Sequence, residues 1–313
     1  MRVVFMGTPE FAATSLNEIN TNSHHEVVGV VTVPDKPSGR GQKMNISDVK
    51  KYALEHNLPL AQPEKLRDDA FIETLKSWNA DVFVVVAFRM LPQVVWSIPV
   101  KGTFNLHGSL LPQYRGAAPI NWAVMNGDNE TGVTTFLIDE KIDTGNILIS
   151  DKVTIEENDN VGKIHDELMH IGAKLVVKTL DGLENESLKP HPQEETIELK
   201  HAPKIFKEDC KIDWNQSINT IHNKIRGLSP YPCAWTTFGN GENYKSLKLY
   251  GGLKTDLVLE AENFQLILQK NNLYIKLPQG VYEILELQPE GKRRMSAKDF
   301  INGHQNEDTL FVK

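Results

Sequence analysis

Apolar and polar positions follow two rhythms along the first half of this chain. Short β-branched runs, "RVVFM", "VVGVVTV", "DVFVVVAF", "GTFNLH" and "GVTTFLID", are separated by stretches of helical period. Near-continuous apolar runs suit strands buried on both faces, so the alternation predicts an α/β fold: a Rossmann-like, mostly parallel sheet covered by helices. "SDVKKYALEHN" and "DDAFIETLKSWN" predict helices capped by Ser47 and Asp68. "VGKIHDELMHIGAKLVVKTLDGL" sets Ile164, Leu168, Ile171, Leu175, Val176 and Leu180 on one stripe of a long closing helix.

The rhythm then changes. Residues 188–206 are polar and carry Pro190, Pro192 and Pro203, which reads as a linker. Beyond it, one helical pattern, "NQSINTIHNKIRGL", precedes the strand-like runs "AWTTF", "SLKLYGG", "NFQLILQ", "LYIKL" and "VYEILELQ". Consecutive short strands predict a small C-terminal, OB-like β-barrel. The expected organisation is a catalytic domain over 1–187, the linker over 188–206 and the barrel over 207–313.

Composition narrows the class. The 313 residues are 40% hydrophobic and 24% charged, a globular balance, and no apolar run has the length of a membrane span. Met1 leads straight into a strand pattern, which predicts a cytoplasmic protein without a leader. Cys210 and Cys233 stand outside any zinc or redox spacing and are expected as reduced thiols. The net charge of −7 divides unevenly: residues 207–313 carry 14 Lys and Arg against 13 Asp and Glu, and residues 1–206 carry 20 against 28. Local basic clusters at Lys36, Arg40 and Lys43, and at Lys292, Arg293 and Arg294, leave a polyanionic partner open.

Several motifs carry little. "FMGTPEF" has one glycine where a dinucleotide fingerprint needs three, so no nicotinamide cofactor is expected. Thr8 as cap with Pro9 behind it fits either an ordinary helix entry or a holder for an anion or carbonyl. His165 and His170 point about 140° apart at about 100° per helical residue, and His24 and His25 sit in a polar loop; no metal is expected.

"NLHGSLLPQYRGAAP" carries more. On a strand, Asn105 and His107 share one face near its carboxyl end, where open α/β sheets bind ligands. The bland reading is a turn cap and a polar niche; "LIDEKIDTGNIL" lowers its weight by delivering Asp139 and Asp143 after the next strand, with Gly145 permitting a tight turn. An Asp and a His with an amide donor beside them form an acid–base pair without a nucleophile: Ser109 lacks the G-x-S-x-G elbow. Direct transfer of an acyl-type group between two bound substrates fits this set.

The residues Asn105 and His107, "SLLP" over 109–112 and Asp143 in "IDTG" closely resemble the folate-dependent formyltransferases. "MGTPEFA", "PDKPSGRGQK", "HAPKIFKEDCKIDW" and "IRGLSPYPCAW" resemble the branch acting on initiator methionyl-tRNA, and together span nearly the whole chain. Glycinamide-ribonucleotide enzymes of the family are usually one short domain; sugar-nucleotide enzymes share this length. One departure stands out: the family usually reads alanine-tyrosine-glycine, an aliphatic pair and proline after the third apolar strand, whereas "VVVAFRMLP" lacks the glycine and is one residue shorter.

The resemblance implies transfer of the formyl group of 10-formyltetrahydrofolate to the α-amino group of initiator methionyl-tRNA, giving formylmethionyl-tRNA for translation initiation. It implies Asn105, His107 and Asp143 as catalytic residues, the amide and a protonated His107 serving as oxyanion donors. Ser109, Leu110, Leu111, Pro112, Phe88, Leu91 and Asp139 would bind the folate. Lys36, Arg40, Lys43, Lys292 and Arg293 would bind the tRNA, Arg40 foremost, although a disordered surface loop over 33–45 is the competing reading. A monomer without a metal is expected.

Overall fold

The computed structural model describes residues 1–38, 43–194, 198–304 and 309–313. They form two compact units, one of Met1–Pro119, Gly132–Val153 and Asp166–Ala202, the other of Ile120–Thr131, Thr154–His165 and Pro203–Lys313. Along the chain come β1 (Arg2–Gly7), α1 (Glu10–Asn22), β2 (Glu26–Val31), β3 (Lys36–Ser38), β4 (Lys43–Asn45), α2 (Asp48–Glu55) and β5 (Leu60–Ala61). Then follow α3 (Asp69–Ser77), β6 (Val82–Val86), α4 (Gln93–Trp96), β7 (Thr103–His107), β8 (Arg115–Gly116) and α5 (Pro119–Met125). β9 (Glu130–Leu137), β10 (Ile147–Thr154), α6 (Val161–Glu184) and β11 (His201–Ala202) complete this part.

The main sheet runs β10-β9-β7-β6-β1-β2-β5. From β7 to β5 every pairing is parallel, and β9 runs antiparallel to β7. Val3 to Met6 of β1 and Val82, Phe83, Val84 and Val86 of β6 are fully buried, as both-face coverage demands. Each such side chain stabilises the fold by about 1.5–3 kcal/mol.

Ser47 and Asp68 cap α2 and α3 as expected: the hydroxyl accepts from the Lys50 N–H, and the carboxylate from the N–H groups of Ala70 and Phe71. α1 differs. Pro9, not Thr8, is its cap, without a side-chain bond, and the Pro9 carbonyl takes the Ala12 and Ala13 N–H groups. Thr8 lies one residue outside, its carbonyl accepting from Val49 N–H at 3.4 Å, which ties this turn to α2. The α6 stripe is buried at Ile164, Leu168, Leu175, Val176 and Leu180, with Ile171 half-buried.

The second unit continues with α7 (Ile218–Gly227), β12 (Ala234–Asn240), β13 (Asn243–Thr255), β14 (Gln265–Gln269), β15 (Asn272–Leu277), β16 (Gly280–Pro289), β17 (Met295–Ser296), α8 (Ala297–Asn302) and β18 (Leu310–Val312). The order β13-β12-β18-β14-β15-β16 returns from β16 to β13, closing an antiparallel barrel. Its core includes Leu247, Leu249, Ile275, Tyr282 and Phe300. Cys210 and Cys233 are free and buried, and burial pushes the Cys233 thiol up to about 11. Among the described residues no helix is long and apolar enough to cross a membrane.

His222 on α7 is buried, donates from Nε2–H to the Glu157 carbonyl at 3.0 Å and accepts at Nδ1 from the Tyr282 hydroxyl at 3.1 Å. Both nitrogens are satisfied in the neutral ring, and burial lowers its pKa below the ordinary 6.5. The unfolded chain therefore binds this proton more readily, so the stabilisation is complete above pH 6.5 and is lost as pH falls below it. Urea midpoints followed by tryptophan fluorescence should fall from pH 7 to pH 5, and His222→Gln should flatten that slope. An unchanged slope would remove His222 as its source.

Candidate active site

Phe104 and Leu106 of β7 are buried on one face of the strand, which leaves Asn105 and His107 on the other. Asn105 lies between Val85 of β6 and Phe136 of β9, and His107 opposite Thr134. The chain leaves β1 toward β2 on one side of the sheet and β6 toward β7 on the other. The carboxyl ends of β1, β6 and β7 thus flank the point where strand order reverses, the general ligand site of open α/β sheets.

A tight turn fixes the imidazole. Tyr114 adopts φ 60°, a left-handed conformation, and its carbonyl accepts from His107 Nε2–H at 2.8 Å. That bond commits the Nε2 proton and turns Nδ1 toward Asp143 Oδ2, 3.9 Å away. The ring meets Phe136 edge-on, with centroids 6.4 Å apart. Among the described residues the Asn105 carboxamide has no side-chain hydrogen bond, so its donor is uncommitted.

Asp143 is held by its own loop. Its φ is 55°, and Oδ2 accepts from the Gly116 N–H at 3.0 Å. The Gln193 amide donates to the carbonyls of Asp143 and Gly145 at 2.9 and 2.8 Å. Its oxygen accepts from Arg115 Nε and Nη2 at 3.0 and 2.7 Å. Gly145 lies so close to β9 that a Cβ there would come 1.7 Å from the Leu137 oxygen. Gly116, at φ 129°, pairs with Ala202 of β11 where a Cβ would meet the Ala202 oxygen at 2.4 Å. Arg115 and Gln193 were not among the expected site residues. Arg115 lay within the motif stretch, but nothing in the polar "HPQEET" marked Gln193.

The remaining expected residues fall into three places. Ser109 is fully buried, its hydroxyl donating to the Gln113 carbonyl at 2.6 Å, and Leu111 packs with Phe136 and Ile147; Leu110 and Pro112 are half-buried beside them. Leu91 and Phe88 follow β6, Leu91 inside the apolar cluster and Phe88 against it. In that shortened turn Ala87 takes φ 46° without a glycine, and the Arg89 guanidinium donates to the carbonyls of Pro63 and Glu64 at 2.7 and 3.1 Å. Asp139 is exposed and accepts from Lys141 N–H and the Thr144 hydroxyl, shaping the Asp143 loop.

Lys36 is exposed on β3, paired across the ribbon with β4, which begins at Lys43; Arg40 lies outside the described residues. Asp35 at the base of that ribbon is paired with Lys50 and Gln62, and these bonds hold its carboxyl below the usual range. Lys292 and Arg293 are exposed in the second unit, whereas Arg294 makes a two-toothed ion pair with Glu286 over the Tyr250 ring.

Residues 1–180 match the family model described as formyl transferase, and residues 204–305 the one described as formyl transferase, C-terminal domain. The chain belongs to the formyl transferase family. It is 48% identical over 316 residues to a methionyl-tRNA formyltransferase of Bacteroides thetaiotaomicron, covering 98% of this chain and 97% of that one. A protein of the same name from Flavobacterium psychrophilum is 48% identical over 303 residues, covering 97% and 96%. Among solved structures, HypX from Aquifex aeolicus in complex with tetrahydrofolic acid matches with TM-score 0.67 at 19% identity, over 98% of this chain and 48% of that one. WlaRD, a sugar 3N-formyl transferase, matches with TM-score 0.62 at 20% identity, over 94% and 99%. These structures share the fold.

Proposed function

We propose that this chain transfers the formyl group of 10-formyltetrahydrofolate to the α-amino group of initiator methionyl-tRNA. The observation that carries the reading is the convergence of Asn105, His107 and Asp143 at the carboxyl end of the sheet. The near-full-length identity to proteins named for this reaction supports the choice of acceptor. The new bond joins the methionyl nitrogen to the formyl carbon, the bond from that carbon to N10 breaks, and one proton passes from the amine to N10.

The methionyl amine attacks as the neutral base, and ordinary α-amino groups have pKa values of about 7.7–8.0, so little help is needed before attack. Negative charge then develops on the formyl oxygen. The uncommitted Asn105 amide would donate to it, and loss of one such donor typically lowers the rate roughly 10²–10³-fold. His107, held by the Tyr114 carbonyl and faced by Asp143, takes the proton from the amine and passes it on toward N10. The turns after β6 and β7, with Phe88, Leu91, Ser109 to Pro112 and Asp139, would hold the folate.

Lys36, Arg40, Lys43, Lys292 and Arg293 would meet tRNA phosphates. Asp35, in the same stretch, is paired with Lys50. The test offers 10-formyltetrahydrofolate with charged initiator tRNA, charged elongator methionine tRNA, or an amino-sugar nucleotide, and follows the formylated product. Transfer to the initiator tRNA is expected, with an apparent affinity that falls steeply with salt. Transfer to the sugar alone, untouched by Arg40→Ala, would replace the acceptor and keep the chemistry.

A further inference from the structure

At the opposite, amino-terminal edge of the same parallel strands, four side chains gather. His24 and His25 lie between α1 and β2; Asp181 and Glu184 occupy the last turn of α6, three residues apart and so on one helical face. Their potential ligand atoms all lie within 4.8 Å of one another. His24 Nε2 is 2.5 Å from Glu184 Oε2 and its Nδ1 is 3.8 Å from Asp181 Oδ1; His25 Nε2 is 3.1 Å from Asp181 Oδ1. The α-amino group of Met1 donates to Glu184 Oε1 at 2.7 Å and sits 3.1 Å from His25 Nδ1.

We propose that His24, His25, Asp181 and Glu184 form a binding site for a divalent transition-metal ion of the zinc type. Two imidazoles with two carboxylates are a borderline-soft donor set that suits such an ion, whereas Mg²⁺ and Ca²⁺ prefer all-oxygen sites. Zinc bonds of about 2.0–2.2 Å place tetrahedral ligand atoms roughly 3.3–3.5 Å apart. The present separations lie on both sides of that value, so ligation needs shifts of about 1 Å. The side chains can make them: His25 is fully enclosed and anchors the site, while those of His24, Asp181 and Glu184 are 63%, 46% and 38% exposed.

Two carboxylates end a helix whose own dipole is negative there, with no basic residue in its last turn; the Met1 ammonium meets part of that charge through Glu184 Oε1, and among the described residues Asp181 faces only the two imidazoles. Only deprotonated ring nitrogens ligate, so the ion would displace protons now shared between the imidazoles and carboxylates. Bound there, it would clip the end of α6 to the start of β2, a structural link rather than a part of the transfer chemistry. The inference is independent of the proposed reaction.

The chelator-treated full chain titrated with Co²⁺ tests it. The expected result is visible absorption of four-coordinate Co²⁺ saturating at one equivalent, bleached by Zn²⁺, with Zn²⁺ alone raising the melting temperature. His24→Gln and Glu184→Gln, both at partly exposed side chains, should each weaken Co²⁺ binding about tenfold or more and leave circular dichroism and formyl transfer unchanged. Absence of the absorption, or its persistence at full affinity in both variants, overturns the site. Should one variant misfold, Asp181→Asn supplies the second measurement.

Discussion

An Asp143→Asn chain is expected to fold as the parent does and to transfer formyl roughly 10²–10⁴-fold more slowly at saturating substrates. The substitution keeps an oxygen to accept the Gly116 N–H and leaves the backbone carbonyl that Gln193 binds. What disappears is the negative charge 3.9 Å from His107 Nδ1, and with it the support for a ring that, in the proposed reaction, holds a proton between attack and departure. Single-turnover rates with initiator methionyl-tRNA, beside thermal unfolding, separate the two effects. His107→Asn should lose as much rate, and some stability too, because the Tyr114 carbonyl loses its donor, worth about 1–3 kcal/mol when buried. Near-parental turnover in Asp143→Asn would show that the pair does not carry the proton.

The second large effect is expected from a residue with no chemistry of its own. Gly145→Ala puts a carbon 1.7 Å from the Leu137 oxygen, a backbone atom of β9 that cannot rotate away. The loop must lift by more than an ångström, and Asp143, two residues earlier, moves with it. Misplacement on that scale typically lowers rates about 10²-fold, and overpacking of this kind destabilises by about 1–3 kcal/mol. A urea titration with kcat and KM checks both, the loss falling mainly on kcat. An unchanged kcat would show that the loop holds Asp143 without this close approach.

Much of this is legible in the sequence. Strands such as Val82–Val86 announce themselves because both faces are apolar, and Ser47 and Asp68 cap their helices through local bonds that a sequence window contains. Asn105 and His107 were legible because a period of two decides which side chains share a face, and the end of a strand in an α/β sheet is where ligands go. The reversed direction of β9 was hidden, since a buried strand reads the same either way. Thr8 is not the cap: Pro9 takes that position, and the Thr8 carbonyl accepts instead from Val49 of α2, a tertiary contact that a local window does not contain.

Distance along the chain concealed the rest. Gln193 reaches Asp143 across 50 residues, and His25 reaches Asp181 across 156, pairings that no periodicity encodes. A histidine doublet in a polar loop looked idle because its partners sit at the far end of another element. Asp139, expected at the folate, also accepts from Thr144 and Lys141 within the loop that carries Asp143, local bonds that the spacing of the motif does not reveal.

The pairing of β8 with β11 bears on how enzymes of this architecture can be recombined. His201 and Ala202 are hydrogen-bonded beside Arg115 and Gly116, and Gln193 grips the Asp143 loop, so the polar stretch ahead of the barrel belongs mechanically to the first unit. A chimera that exchanges barrels between relatives should therefore be joined after Ala202; a junction near residue 188 would swap out the brace of the Asp143 loop together with the barrel.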